Sequence, residues 1–252
     1  MANDNKQRAL EELSNDPSFA NDSERSAYFD RLSQAALGVS VAALALNIVG
    51  IGFFVPDWVG PVAATLSIVM AFALRWCTKG RLTLGFSTGE SPWPSIVVLL
   101  FMPSCALAMR VVFEAKHVLS MTQLVVWALA VTVLFVLAYA VSLTRPERSI
   151  GNVLRAAVVG VPLFFVVLKE ANIDFDNAPP ARYSAVLLGK HIETGKHKTP
   201  VFTIGPWGPV KAADTDRVQF PVYEHTAVGD RVCVVLHAGA LGIPWYTIER
   251  CA

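Results

Sequence analysis

The chain has 252 residues, of which 54% are hydrophobic and only 16% charged, and its net charge is +1. Soluble domains carry about a quarter charged residues, so this composition excludes a wholly soluble globule. The near-zero charge also excludes a nucleic-acid binder that relies on a large basic surface. Residues 1–32 are polar, 33–169 apolar, and 170–252 ordinary in composition, which predicts three structural parts.

The lead-in mixes Lys6, Arg8, Glu11, Glu12, Asp22, Glu24, Arg25, Asp30 and Arg31. It does not read as a cleavable signal, which starts with a few basic residues before a short apolar stretch. Leu10 and Leu13, then Tyr28, Phe29 and Leu32, recur at helical spacing on either side of Pro17. They predict two short amphipathic helices on the cytoplasmic side, the second running into the first membrane helix.

Five apolar runs follow, at about 35–55, 58–75, 95–113, 122–143 and 153–169. A bilayer core needs about 20 apolar residues per helix. The first two runs are separated by little more than Pro56-Asp57, which predicts an antiparallel hairpin with Trp58 as an interfacial anchor. Arg110 interrupts the end of the third run, and Trp127 and Tyr139 stand towards the two ends of the fourth.

The fifth run is the contested one. Ala156–Leu168 supplies 13 apolar residues, and extension back to Asn152 gives 17. Arg155 would then snorkel to the headgroups, and Pro162 is tolerated where neighbours satisfy the freed carbonyl. Five spans are expected, with four as the alternative. Arg25, Arg31, Arg75, Lys79, Arg81, Arg145 and Arg148 then fall on the cytoplasmic side. The outer side receives the Pro56-Asp57 turn, Arg110 and Lys116, so basic residues concentrate inside. Five spans put the tail domain outside the cytoplasm.

The middle of the spans holds Asn47, Thr65, Ser67, Ser104 and Thr132 and no charge. This predicts hydrogen bonds between helices rather than an ion path. Gly38, Ala42, Gly50 and Gly52 permit close helix contact.

An acidic, Pro-containing linker at 170–180 leads into short alternating strands. These read as Arg182–Leu188, Thr199–Ile204, Arg217–Val222, Arg231–His237 and Trp245–Arg250. Turn signals at Glu193–Gly195, Gly205–Pro209, Val228–Asp230 and Gly239–Pro244 separate them. Five such strands over residues 181–252 predict a small closed β-barrel, OB-like or SH3-like. The fold class expected is therefore a membrane all-α bundle with a small C-terminal all-β barrel-like domain.

The Pro206-Trp-Gly-Pro209 turn, Val228-Gly-Asp-Arg-Val-Cys-Val234, His237-Ala-Gly-Ala-Leu-Gly-Ile-Pro-Trp-Tyr246 and the closing Cys251 together resemble the end of a family of uncharacterised proteobacterial inner-membrane proteins. In that family a last membrane helix is followed by a linker similar to Asp174-Phe-Asp-Asn-Ala-Pro-Pro180 and then this β domain. The resemblance covers roughly the last 80 residues and the helix before them. It implies a fifth span, a bacterial inner-membrane location and no particular activity.

Cys233 and Cys251 both fall in the last hairpin. An oxidising compartment would let them form a disulfide, and a reducing one would leave two buried thiols. A hairpin centred on Leu241 puts Cys233 nearer Ile248, so a bond requires a bulge or offset. His191, His197, Cys233 and His237 match no zinc spacing, and no nucleophile elbow or phosphate loop is complete. No catalytic residue, metal or cofactor is expected.

The reading is a non-enzymatic membrane protein whose periplasmic β domain contacts a protein or envelope partner through Trp207, Trp245 and Tyr246. The alternatives are a subunit of a small channel or transporter and an intramembrane enzyme. The partners expected are the lipid bilayer and that envelope component, with no nucleic acid.

Overall fold

The structure, a computed structural model, describes residues 2–51, 58–85, 91–143, 149–194 and 198–251. The Pro56-Asp57 turn, most of the loop at 85–90, Arg145, Arg148 and His197 lie outside the described residues. The chain divides into two compact units. One comprises Met1–Met109 with Val126–Leu168, and the other Arg110–Val125 with Lys169–Ala252.

The first unit is helical. Helix α1 (Ala2–Ser14) buries Ala9 and Leu13, and α2 (Asp22–Ile51) buries Phe29, Leu32 and Ala36. Among the described residues, three helices are long and apolar enough to cross a membrane. They are α3 (Val59–Cys77), α5 (Met121–Ser142) and α6 (Ile150–Asp174). Helix α2 runs for 30 residues, charged in its first turns and apolar beyond Ala35.

The fourth helix, α4 (Val98–Phe113), has 16 residues. At about 1.5 Å per residue it spans roughly 24 Å, less than the ~30 Å hydrocarbon core. It starts three residues later than the apolar run because Ser95 bridges Thr83 and the Ile96 N–H bonds the Thr83 carbonyl.

Apolar side chains stand exposed along the helices, as a lipid solvent would leave them. On α5 these include Leu134, Leu137 and Val141, the last 77% exposed. Inside, Phe135 contacts Phe72, Tyr139 and Phe164. Buried Arg75 satisfies its guanidinium on the Ser142 and Leu82 carbonyls, and Tyr139 donates to the Leu84 carbonyl. Thr65, Ser67 and Thr132 do not bridge helices. Each hydroxyl bonds the carbonyl four residues back in its own helix, the nearest acceptor an apolar surrounding offers.

At the start of this unit Arg81 pairs with Asp16 and lies over Phe19, Tyr28 and Trp93, at 5.2–5.8 Å from each ring. The aspartate is held down at about 2, chiefly by hydrogen bonds from Ser18 and then from Arg81.

The second unit is a nearly closed antiparallel barrel in the strand order β1-β6-β5-β2-β3-β4. Its strands are β1 (His117–Val118), β2 (Ala181–Thr194), β3 (Lys198–Ile204), β4 (Asp214–Arg217), β5 (Arg231–His237) and β6 (Trp245–Arg250), with α7 (Phe220–Glu224) between β4 and β5. Setting β1 aside, the tail strands run fifth, fourth, first, second, third, with a helix between the third and fourth.

The long first tail strand makes this possible. Residues 181–186 of β2 pair with β5, residues 187–194 pair with β3, and a register shift between Leu187 and Gly189 turns the corner. Leu187, Phe202, Ile204, Val232 and Val234 fill the core.

Besides the start of α4 and the extension of β2 past Leu188 to Thr194, two further boundaries differ from the sequence reading. The segment read as a strand at 217–222 ends at Arg217 and gives way to α7. Pro221 lacks the N–H a ladder needs but fits the first turn of a helix. The supposed linker at 170–180 is helical as far as Asp174.

Candidate functional site

The polar groups of the second unit concentrate where the end of α6, the α4–α5 connection and the last hairpin meet. Three layers of contact build this junction.

The first layer is ionic. Beyond Leu168, α6 turns from apolar to Lys169-Glu-Ala-Asn-Ile-Asp174, yet Glu170 and Asn172 are at most 1% exposed. Arg110 and Glu114 lie one helical turn apart, with Arg110 Nε 2.6 Å from Glu114 Oε1. The same Nε lies 3.9 Å from Glu170 Oε2. Lys116 Nζ reaches Glu114 Oε2 at 3.2 Å and Asp174 Oδ1 at 3.8 Å. With Lys169 the set contains three basic and three acidic side chains. Among the described residues, neither Glu170 oxygen accepts a hydrogen bond.

The second layer is a clamp. Asn172 Nδ2 donates to the Ile243 carbonyl at 2.8 Å, while its Oδ1 accepts the Leu241 N–H at 2.9 Å and its own carbonyl accepts the Ala240 N–H. Asp176 Oδ2 accepts the Gly239 N–H at 2.7 Å and the Trp245 indole N–H at 3.0 Å. Burial works to raise the Asp176 carboxyl, but the amides of Ala178 and Gly239 and the Trp245 indole together hold it below the usual carboxylate range. His237 lies flat on Trp245, with ring centroids 3.9 Å apart. Burial lowers His237 against the pull of Asp176 and Glu249.

The third layer closes the barrel. His117 and Val118 pair with Tyr246 and Trp245, and the Leu119 N–H donates to the Pro244 carbonyl at 2.8 Å. His117 stacks on Tyr246, and its Nε2 lies 2.8 Å from the Arg217 carbonyl of β4, the opposite edge of the sheet. Its Nδ1 is 3.4 Å from Asp216 Oδ1, and Tyr246 donates its hydroxyl to Asp216 Oδ2 at 2.8 Å. Burial pushes the Asp216 carboxyl up against the opposing pull of His117. Burial, and then Asp216, push the Tyr246 hydroxyl well above its ordinary range.

The aromatic residues read as a contact surface are buried. Trp207, Trp245 and Tyr246 are 3%, 8% and 4% exposed. Trp207 packs on Tyr183 and Tyr246 because the Pro206–Pro209 turn folds inward through a Trp207–Val210 bridge. The reason is size: a small barrel has few large side chains with which to fill its interior.

Cys233 and Cys251 form a disulfide with Cα atoms 4.9 Å apart. No bulge is involved. Cys233 pairs with Glu249 in a continuous β5–β6 register, and Cys251 is the next residue of the same face.

Of the residues weighed for a metal, Cys233 is taken by the disulfide, His237 by Trp245, and His191 is exposed on β2. Among the described residues no group of three His, Cys, Asp or Glu side chains could hold a metal ion.

Sequence reasoning missed Glu114, Lys116, His117, Glu170, Asn172, Asp176 and Asp216 as members of one site. The available signal was the continuation of helical spacing past Leu168, with Glu170 and Asp174 one turn apart.

The chain matches no family model, no curated protein and no solved structure.

Proposed function

We propose that the chain is a five-span bacterial inner-membrane protein, cytoplasmic at its N-terminus, that displays the barrel outside the cytoplasm. In this reading the barrel contacts a protein or another envelope component and performs no catalysis. The observation that carries it is β1. A two-residue strand from the connection between two membrane helices completes the barrel's edge, so the barrel is tied covalently to α4, α5 and α6 at once. Strand β1 is thus part of the barrel unit although its chain comes from between two membrane helices.

The disulfide supports an oxidising compartment, the basic residues gather on the opposite side of the spans, and the likeness of the tail to proteobacterial inner-membrane proteins agrees. The polar groups of the junction hold one another rather than an open cleft, which supports a structural role for them. With the three tail aromatics inside, the contact is expected on the outer face of β2, where Val186 and Leu188 are 45% and 51% exposed.

A photo-crosslinking residue at Leu188 or Val186 should give one discrete adduct in cells, and the same residue at Lys211 should not. No adduct from either β2 position, together with ion conductance by the purified protein in planar bilayers, would favour a channel or transporter subunit instead. Glu170, a wholly buried carboxylate close to the end of a membrane helix, is the observation on that side.

A further inference from the structure

We propose that His117 and Asp216 form a one-proton latch that fastens the α4–α5 connection to the barrel and releases it as pH rises.

Donors and acceptors decide this contact. His117 Nε2 faces the Arg217 carbonyl, which can only accept, so this nitrogen carries a hydrogen. A neutral ring then offers the lone pair of Nδ1 to Asp216 Oδ1 at 3.4 Å. Two acceptors facing each other repel. A proton on Nδ1, or on the carboxyl oxygen, turns that contact into a hydrogen bond. Asp216 Oδ2 already accepts from Tyr246, so the carboxylate cannot turn away without stranding a buried hydroxyl.

The docked arrangement therefore holds one proton between the two side chains. Burial of Asp216 favours keeping that proton, since it opposes a bare carboxylate there. Asp214 also acts here and opposes the charged forms of both Asp216 and Tyr246. Lys116, next to His117 in the chain, is drawn away to Glu114 and Asp174.

A docked form that binds the shared proton more firmly than the undocked one is stabilised by it at low pH and loses that contribution as pH rises. The element released is defined: β1 is two residues long, its edge of the barrel opens, and the Leu119–Pro244 bond goes with it. The inference does not depend on which compartment holds the barrel.

The test is amide hydrogen exchange of the full-length protein in lipid nanodiscs between about pH 5 and 9. The Leu119 amide is compared with that of Val234 in the barrel core, after correction for intrinsic exchange. In the wild type, protection of Leu119 relative to Val234 should fall with pH, by up to about tenfold per unit for one linked proton. Asp216→Asn keeps an acceptor for Tyr246 and gives neutral His117 a donor, so protection should persist and lose its pH dependence. His117→Gln should also remove the slope. A flat wild-type profile, or an unchanged slope in Asp216→Asn, would overturn the latch. Should His117→Gln unfold the barrel, seen as loss of Val234 protection, the wild type and Asp216→Asn still decide.

Discussion

Gly239 carries the closest approach in the junction. Its φ is +78°, and a Cβ there would stand 2.2 Å from the Ile243 carbonyl and 2.6 Å from Asn172 Oδ1. Neither neighbour can retreat: the carbonyl belongs to the loop itself, and Asn172 is held by two hydrogen bonds. Gly229 also has positive φ, at +96°, but nothing lies within 4 Å of its Cβ position. A non-glycine residue at positive φ costs about 1–2 kcal/mol from backbone strain alone. Gly229→Ala should therefore cost about 1 kcal/mol, and Gly239→Ala at least 2 kcal/mol more through the added collision. Urea unfolding of the detergent-solubilised protein, followed by tryptophan fluorescence, would compare the two. Equal losses would show that the loop does not bind α6 as tightly as its geometry requires. The glycine was legible in the sequence as a turn signal, but its reason was not. That reason is the side chain of Asn172, 67 residues earlier by their numbers in the sequence.

At the scale of elements, legibility tracks how far each segment depends on itself. Arg231–His237 and Trp245–Arg250 alternate so regularly that their bounds follow from the residues. The apolar runs at 122–143 and 58–75 likewise mark α5 and α3 within two residues at each end. His117-Val118 carries no such pattern, because β6 supplies everything that makes it a strand. The end of α6 was obscured by its polarity. Glu170 and Asp174 read as linker until Arg110 and Lys116 are brought to them from another helix end. That pairing has an energetic signature. Breaking a buried ion pair by removing one partner costs about 3–5 kcal/mol, because the remaining charge keeps its desolvation cost. Arg110→Met should lower the stability of the second unit by about 3 kcal/mol, and Glu170→Gln by clearly less, since it removes the wholly buried charge itself. The double variant should be more stable than Arg110→Met alone, with a coupling of about 1–3 kcal/mol. Additive losses in the same unfolding measurement would show that the two side chains do not share one network.

The whole molecule is constrained by parity. Residues 117–118 pair with 245–246, so the α4–α5 connection and the barrel must lie on one side of any membrane. Between them the chain runs through α5 and α6. If α5 crosses, α6 must cross back, so a four-span arrangement that leaves α6 on one side is incompatible with the pairing. α5 is the strongest of the three candidate spans, at a mean hydropathy of 2.6. The pairing fixes which segments share a side, and the charge bias supplies which side that is. On the orientation proposed above, the basic residues before α2 and after α3 and α5 lie inside, and residues 114–120 lie outside with the barrel. Three fusions test it. A reporter active only in the periplasm should be active after Ala252 and after Lys116, and inactive after Arg81. A Lys116 fusion truncates the chain before α5, so its activity reports the outer position of the connection without help from the barrel. Activity after Lys116 but not after Ala252 would put the pairing and the orientation in direct conflict, and the β1–β6 contact would have to be given up. Inactivity at both, with activity after Arg81, would keep the pairing and invert the protein, leaving the disulfide on the reducing side where it does not persist.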